Sequence, residues 1–126
     1  MPIQYHFDAQ RVAIFGEITS PLTFEEFRTA IGSVVGSKEF PPNVRTLWDM
    51  REFKFKEVNK EFEEGLISVI EKFPERRSAK VALIVNDDLG LGKATIFENF
   101  VRNLGYQTMV FTNYHAGEKW LVQDLA

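Results

Sequence analysis

Residues 79–95 read AKVALIVNDDLGLGKAT, and this stretch decides the fold. Residues 79–85 form an apolar run, which is typical of a central parallel strand covered on both faces. A helix is predicted after it, over about 89–104, because apolar residues repeat there at helical spacing and Gly105 suits the position after a helix end. A buried strand that leads into an amphipathic helix is typical of an α/β protein.

The same two patterns recur on both sides of this stretch. They predict further strands over residues 3–8, 11–18, 44–50 and 107–111, and further helices over about 23–36, 59–73 and 114–123. The segment REFKF (51–55) is predicted to extend the third strand. Only Ala9 and Gln10 separate the first two strands, which predicts an antiparallel hairpin.

The predicted order is therefore ββαβαβαβα, in one domain over residues 1–126, because the connections are short. Strands that alternate with helices predict right-handed crossovers and a mostly parallel sheet. We expect an α/β sandwich with a five-stranded sheet, an antiparallel N-terminal edge strand and four helices.

The first helix has a clear predicted start. Thr23 stands three residues before Glu26, the spacing of a capping box in which each side chain accepts a hydrogen bond from a free backbone N–H. Leu22 and Phe27 have the spacing of a hydrophobic staple around this cap. We therefore expect the helix to begin at this cap.

Composition excludes several classes of function. The chain has 126 residues, 44% of them hydrophobic and 26% charged, as in a folded globular protein. A net charge of −3 argues against a nucleic-acid partner, and the absence of cysteine excludes disulfides and thiolate chemistry. Without a signal-peptide pattern or a membrane-length apolar run, we expect a cytoplasmic protein. The twelve phenylalanines are expected to fill the core.

The letters GLGKAT within the opening stretch resemble a phosphate-binding loop but fail its pattern. In the frame set by Gly92 and Lys93, the first position of G-x-x-x-x-G-K-[ST] is Asp87, and the magnesium-binding position is Ala94. Thr95 comes one residue late. We therefore expect no magnesium-nucleotide chemistry and no bound cofactor.

Two interpretations of this turn remain. Asp87 or Asp88 caps the helix, with the glycines allowing close packing, or the turn forms the rim of a binding site. As a rim, its candidate residues are Asn86, Asp87, Asp88, Gly90, Gly92 and Lys93.

A second candidate lies after the third strand. Asp49 is predicted near its carboxyl end, where ligands bind in open α/β sheets, and Arg51 follows two residues later. The pair is either structural or part of a functional rim shared with residues 86–88.

Other polar residues carry weaker signals. Neither His6 nor His115 has the partner that a metal site needs, so no metal is expected. Adjacent carboxylates such as Asp87 and Asp88 point apart on a helix, which disfavours acid–base catalysis. The basic loop PERRSAK (74–80) is expected to be a solvated turn, with weak contact to a membrane surface as the alternative. Lys54 and Lys56 are expected to face water, and the alternating Phe53 and Phe55 the interior.

The stretches VRTLWDMREFKF, VALIVNDDLGLGKATIFENF and FTNYHAGEKWL together resemble the bacterial SpoIIAA-like family, which is related to the STAS domains of anti-sigma-factor antagonists. The likeness covers nearly the whole chain and includes a D-x-R-like strand end and a late A-x-x-x-W-L, here Ala116 to Leu121. The resemblance implies a βα superhelical sandwich with a mostly parallel sheet.

The resemblance also bears on regulation. Anti-sigma antagonists are switched by phosphorylation of a serine at the start of the helix after the Asp-bearing strand. Val58 and Asn59 occupy that position here, after Glu57, so the switch does not carry over, although a binding surface at this helix could persist. Relatives are likened to CRAL-TRIO lipid-binding domains, an analogy that implies an apolar pocket.

These observations favour a non-enzymatic STAS-like binding or regulatory module that recognises a protein partner or a small ligand. The expected rim joins the end of the third strand, residues 53–59 and residues 86–93. The alternative is a carrier with an apolar pocket beneath the same loops, and a hydrolase-like enzyme using Asp49, Arg51 and Asp87 is the third hypothesis. Exposed strand edges and abundant phenylalanine are compatible with a homodimer.

Overall fold

The computed structural model describes residues 3–20, 22–35, 37, 39–41, 43–72, 74, 79–86 and 88–123. Within these ranges the elements are β1 (Ile3–Asp8), β2 (Ala13–Ile18), α1 (Phe24–Val35), β3 (Arg45–Asp49), α2 (Lys60–Glu71), β4 (Lys80–Ile84), α3 (Asp88–Asn103), β5 (Gln107–Phe111) and α4 (Tyr114–Val122). One turn of 3₁₀-helix, Phe55–Glu57, lies between β3 and α2. None of the described helices is long and apolar enough to cross a membrane.

The strands form one sheet in the order β1-β2-β3-β4-β5. β1 pairs antiparallel with β2, whereas each later pair of neighbours is parallel. This confirms the predicted α/β fold, its five-stranded mostly parallel sheet, its antiparallel N-terminal edge strand and its four helices.

The two faces of the sheet are covered unequally. Right-handed crossovers between successive neighbouring strands place their helices on one face. Accordingly, α1, α2 and α3 pack on the face that carries Ile14, Trp48 and Leu83, which we call the three-helix face. The opposite face, which we call the α4 face, carries Leu47 and Ile84 and packs against Leu121 of α4. Two separate cores therefore sandwich the sheet.

The predicted capping box at the start of α1 is confirmed. The backbone N–H of Glu26 donates to Thr23 Oγ1 at 3.1 Å, and the N–H of Thr23 donates to Glu26 Oε1 at 3.0 Å. Leu22 and Phe27 of the predicted staple are both buried. The reciprocal hydrogen bonds satisfy two donors that the first helical turn would otherwise leave free.

Asparagine caps two other helices. Asn59 Oδ1 accepts from the N–H of Phe62 at 2.8 Å, and Asn113 Oδ1 accepts from the N–H of Ala116 at 3.0 Å. Each side chain replaces a missing intrahelical acceptor. α2 and α4 therefore begin where a polar side chain follows the preceding loop.

The predicted extension of the third strand through REFKF is wrong. β3 ends at Asp49, and the chain turns so that the N–H of Phe53 donates to the carbonyl of Met50 at 3.1 Å. The rings of Phe53 and Phe55 meet edge to face with centroids 5.0 Å apart, and both are buried while Lys54 and Lys56 are exposed. The expected burial is confirmed, but it comes from a turn that folds two aromatic rings under the sheet edge rather than from a strand.

Candidate functional site

Asp49 and Arg51 form a two-pronged ion pair at the carboxyl end of β3. Arg51 Nε donates to Asp49 Oδ1 at 2.9 Å, and Arg51 Nη2 donates to Oδ2 at 2.7 Å. The backbone N–H of Arg51 donates to the same Oδ1 at 3.2 Å, which ties the turn to the strand end. The Asp49 side chain is 15% exposed and that of Arg51 44%, so the guanidinium faces solvent while the carboxylate is mostly covered.

The environment of this pair favours the charged forms. Hydrogen bonds from the Arg51 side chain lower the pKa of the Asp49 carboxyl, although partial burial opposes this shift. A carboxylate held in its ionised form is a weak general base at neutral pH, because catalysis favours a pKa near the working pH. The pair is therefore better suited to holding the turn, or to meeting a charged partner, than to moving protons.

A shallow groove lies beside this pair on the α4 side of the sheet. Its volume is about 410 Å³, and it is lined by Gln4, Tyr5, His6, Phe15, Gly16, Glu17, Asp49 and Tyr114. The Arg51 guanidinium carbon lies 5.5 Å from the centroid of the Tyr114 ring. Burial raises the pKa of Tyr114, so its hydroxyl stays protonated at neutral pH. The groove is polar, with one aromatic wall.

The other predicted site residues lie around the start of α3. Asn86 is exposed after β4, and Asp88 is the first residue of α3. Asp87 lies outside the described residues. Gly90 is buried, whereas Gly92 is exposed, and a Cβ atom added to it would meet no described atom outside its own helix backbone within 4 Å. The ammonium group of Lys93 donates to the carbonyl of Val58.

The sheet separates these residues into two groups. Asp49 lies beside Ile84 in the β3–β4 register, and Ile84 belongs to the core of the α4 face. Val58, the partner of Lys93, packs against the core of the three-helix face. The structure thus brings Asp49 and Arg51 together. Lys93 lies near the same sheet edge but bonds to Val58, on the side of the three-helix face.

An apolar cavity of about 170 Å³ lies between the sheet and the three helices, and we call it the inner cavity. It lies under residues 53–58, where an apolar pocket was the alternative expectation. Its lining is Ile18, Phe27, Ile31, Val34, Thr46, Trp48, Met50, Phe53, Phe55, Val58, Phe62, Glu63, Leu66, Val69, Ile70, Val81, Leu83, Lys93, Ala94, Phe97, Val101, Tyr106 and Thr108.

The partly exposed lining residues identify the mouth of the inner cavity. On the helices they come from α2, with Glu63 and Leu66 among them, and from α3, with Lys93 and Phe97. Val81 is also partly exposed, although it lies on the helix-covered face of an inner strand. Solvent reaches that depth because α2 packs on α1 while α3 packs on β5 and the 3₁₀ turn. The mouth therefore lies between α2 and α3.

Polar groups lie near the mouth of the inner cavity and also deeper inside it. Near the mouth, Lys93 bonds to Val58, and Glu63 supplies a carboxylate. Deeper in, the Tyr106 hydroxyl donates to the carbonyl of Ile70 at 2.8 Å and so joins the strand side to α2. Thr46 and Thr108, both 3% exposed, bring side-chain hydroxyls to the sheet side of the cavity. The cavity is therefore apolar with a few polar groups, the usual character of a small-molecule site.

Sequence reasoning missed the two threonines, Tyr106 and Glu63 as cavity residues. Thr46 stands two residues before Trp48 and so shares its face, but threonine is common in strands and carries no signal for a pocket. Glu63 belongs to an acidic stretch that reads as a solvated helix face. Only the packing of α2 and α3 reveals these side chains as neighbours.

Metal binding and known relatives give no further assignment. Within the described ranges, His, Asp and Glu do not gather in threes as a metal site would require. No protein-family model, curated protein or solved structure matches the chain. The resemblance to the SpoIIAA-like family therefore stays a prediction from short motifs.

Proposed function

We propose that this protein is a binding module that holds a small apolar molecule in the inner cavity. The observation that carries the proposal is the cavity itself, about 170 Å³ bounded almost entirely by aliphatic and aromatic side chains. Protein interiors are normally close-packed, so a void of this size leaves many side chains without contacts that a ligand would restore. The proposal assigns no catalytic step to the cavity.

The volume sets the size of the ligand. An apolar cavity of about 150 Å³ in another protein stays dry and binds benzene, so an apolar body of about six carbons is a suitable minimum. Burial of six methylene-sized groups at about 0.8 kcal/mol each gives an upper estimate of about 5 kcal/mol. That corresponds to a dissociation constant on the order of 0.1 to 1 mM for an unoptimised probe.

Trp48 provides a direct readout of occupancy, because it lines the inner cavity while Trp120 packs on the α4 face. We expect benzene to change the tryptophan fluorescence of the protein in a saturable titration. The Trp48→Phe variant should lose this response, since only Trp120 remains. Native mass spectrometry after mild purification would in addition reveal a ligand retained from the cell.

Filling the cavity should compete with the ligand. Ala94 is buried and lines the cavity, so Ala94→Leu places extra carbon atoms in the void. Ala116→Leu is the matched control, since Ala116 is an exposed residue of α4 on the other side of the sheet. We expect Ala94→Leu to weaken benzene binding at least tenfold and Ala116→Leu to leave it unchanged. Equal binding by both variants, or no binding by the wild type, would reject the proposal.

A second candidate is recognition of a protein partner at the carboxyl edge. It is favoured by the Arg51 guanidinium, which is nearly half exposed and held in a fixed orientation by Asp49. An oriented, exposed arginine beside an aromatic residue is well suited to an acidic or carboxylate-bearing partner. Charge reversal in Arg51→Glu should abolish binding of such a partner, and Arg28→Glu, on the exposed face of α1, is the control.

A further inference from the structure

The proposed cavity ligand can be described more closely from the two buried threonines. Thr46 and Thr108 are the buried polar residues of the described core, and both line the inner cavity. No hydrogen bond joins either side-chain hydroxyl to another residue in the described part of the chain, since the bond from Arg102 goes to the backbone carbonyl of Thr108. Among the described residues, neither hydroxyl belongs to the fully buried side-chain atoms that lack a partner, so each keeps some surface open to the cavity. A hydroxyl that faces an apolar cavity can gain a hydrogen bond there from a ligand.

The sheet register fixes the spacing of the two hydroxyls. Thr46 is the neighbour of Val81 on β4, and Val81 is the neighbour of Thr108 on β5. The three side chains therefore form one row on the three-helix face. Neighbouring strands lie about 4.8 Å apart, so the two threonine backbones are separated by roughly 10 Å. The floor of the cavity is thus apolar in the middle and polar at each end.

The floor also excludes a charged group. The charged residues in the lining, Glu63 and Lys93, are partly exposed near the mouth, whereas the described floor offers only hydroxyls. An ion buried without a counter-charge is strongly disfavoured. A hydroxyl can donate one hydrogen bond and accept two, so each threonine can serve either an alcohol or a carbonyl group.

We infer that the ligand is an uncharged, mainly apolar molecule with a hydroxyl or carbonyl group at each of its two ends. One end bonds to Thr46, the other to Thr108, and the apolar body lies across Val81. This inference rests on the proposed function, because it describes the occupant of the same cavity.

The test compares three probes: 1,6-hexanediol, 1-hexanol and benzene. Each is titrated by tryptophan fluorescence against the wild type, Thr46→Val, Thr108→Val and the double variant. Valine keeps the shape of threonine without its hydroxyl. Thr29→Val is the control, because Thr29 is exposed on α1. Thermal unfolding of the free proteins shows whether the variants remain folded.

The two-ended ligand predicts a distinctive pattern. Each single variant should weaken 1,6-hexanediol binding roughly 3- to 10-fold, the effect of one lost hydrogen bond. 1-Hexanol can bond to either threonine, so only the double variant should weaken its binding by a similar factor. Benzene should bind all variants equally. The free variants should unfold at about the same temperature as the wild type, because the hydroxyl that each loses makes no hydrogen bond within the described part of the chain.

Each contrary result has its own meaning. If benzene binds the wild type but the threonine variants bind 1,6-hexanediol as tightly as the wild type, the inference is wrong and the proposed function stands. If one single variant weakens the binding of 1,6-hexanediol and of 1-hexanol by the same factor as the double variant, the site has one polar end. The two-ended ligand is then rejected. If no probe binds the wild type, the proposed function fails and this inference fails with it.

Discussion

The indole of Trp48 lies directly against Gly16, so that a Cβ atom added at Gly16 would come within 2.5 Å of Trp48 Cε3. The two residues are neighbours in the β2–β3 register, and the indole also meets the ring of Tyr5 edge to face at 6.4 Å. The absence of a side chain at Gly16 therefore allows one large ring to lie over β2. Because Trp48 lines the inner cavity, this contact also sets the position of one cavity wall.

Replacement of Gly16 by alanine should destabilise the protein by about 1 to 3 kcal/mol, the usual effect of overpacking a core. Urea unfolding measures the change. Gly32→Ala is the control, since a Cβ added at Gly32 has no described neighbour within 4 Å and alanine favours the interior of α1. We expect the control to be stabilised by up to about 1 kcal/mol. Wild-type stability in Gly16→Ala would contradict this account of the Trp48 contact.

Gly92 should tolerate alanine, although it belongs to the loop-like stretch GLGKAT. It is exposed in α3, and an added Cβ meets nothing within 4 Å among the described neighbours of that helix. Gly92→Ala should raise the free energy of unfolding by about 0.5 to 1 kcal/mol and leave benzene binding unchanged. In Gly117→Ala the new Cβ would lie 3.2 Å from Phe111 Cδ2 and closer still to Ile84 Cδ1, so stability should fall. Loss of benzene binding in Gly92→Ala would show that the glycine has a role in the site.

The Asp49–Arg51 pair should make stability depend on pH in the acidic range. The pKa of Asp49 is lowered in the folded protein, chiefly by hydrogen bonds from the Arg51 side chain, so its contribution is present above the unfolded value of about 4. That contribution is lost as the pH falls through the lower folded pKa. Arg51→Met should therefore cost at most about 1 kcal/mol at neutral pH, because the guanidinium is nearly half exposed.

Urea unfolding of wild type and Arg51→Met at about pH 7 and about pH 2.5 tests this dependence. The difference between the two proteins should shrink at the lower pH, because protonation of the Asp49 carboxyl removes its ion pair with Arg51. A difference that stays constant or grows on acidification would show that Arg51 stabilises the fold by packing rather than by its charge.

The cap of α1 should contribute about 1 kcal/mol to stability. Thr23→Ala removes the oxygen that accepts from the N–H of Glu26 and leaves that donor without its partner. Thr29→Ala, an exposed substitution within the same helix, should be neutral or slightly stabilising, since alanine is the better helix former. Equal unfolding midpoints for Thr23→Ala and the wild type would mean that solvent replaces the cap at no cost.

The sequence predicts the helix starts well because the residues that form them are close together along the chain. Thr23 and Glu26 are three residues apart, as are Asn59 and Phe62, and each pair satisfies backbone donors within one turn. The mostly parallel sheet follows from the alternation of strands and helices joined by short loops. These signals involve residues that are close together along the chain, so a single sequence is enough to predict them.

The end of β3 is harder to predict because alternating aromatic and basic residues suit two structures. In residues 51–56 the phenylalanines alternate with lysines, as in a half-buried strand. The same spacing lets Phe53 and Phe55 turn inward together from a bend and a 3₁₀ turn. The edge-to-face contact between the two rings accompanies the turn, and it depends on three-dimensional packing that the spacing of residues does not show.

The candidate site shows the same limit. Sequence position places Asp49 and Lys93 near the same edge of a parallel sheet, and the structure agrees. The sequence does not reveal that the two residues lie beside different cores. Helical periodicity likewise predicts that Phe62 and Phe97 face inward. It contains no information on whether α2 and α3 meet or leave space, which depends on how the other helices hold them apart.

The inner cavity also makes the protein sensitive to hydrostatic pressure. Unfolding eliminates internal voids, so the unfolded chain occupies less volume and pressure favours it, with volume changes of about −20 to −100 mL/mol in typical proteins. Where water does not fill it, the apolar cavity of about 170 Å³ adds to this volume change. A molecule that fills the cavity removes this contribution, so the bound form should withstand compression that unfolds the empty one.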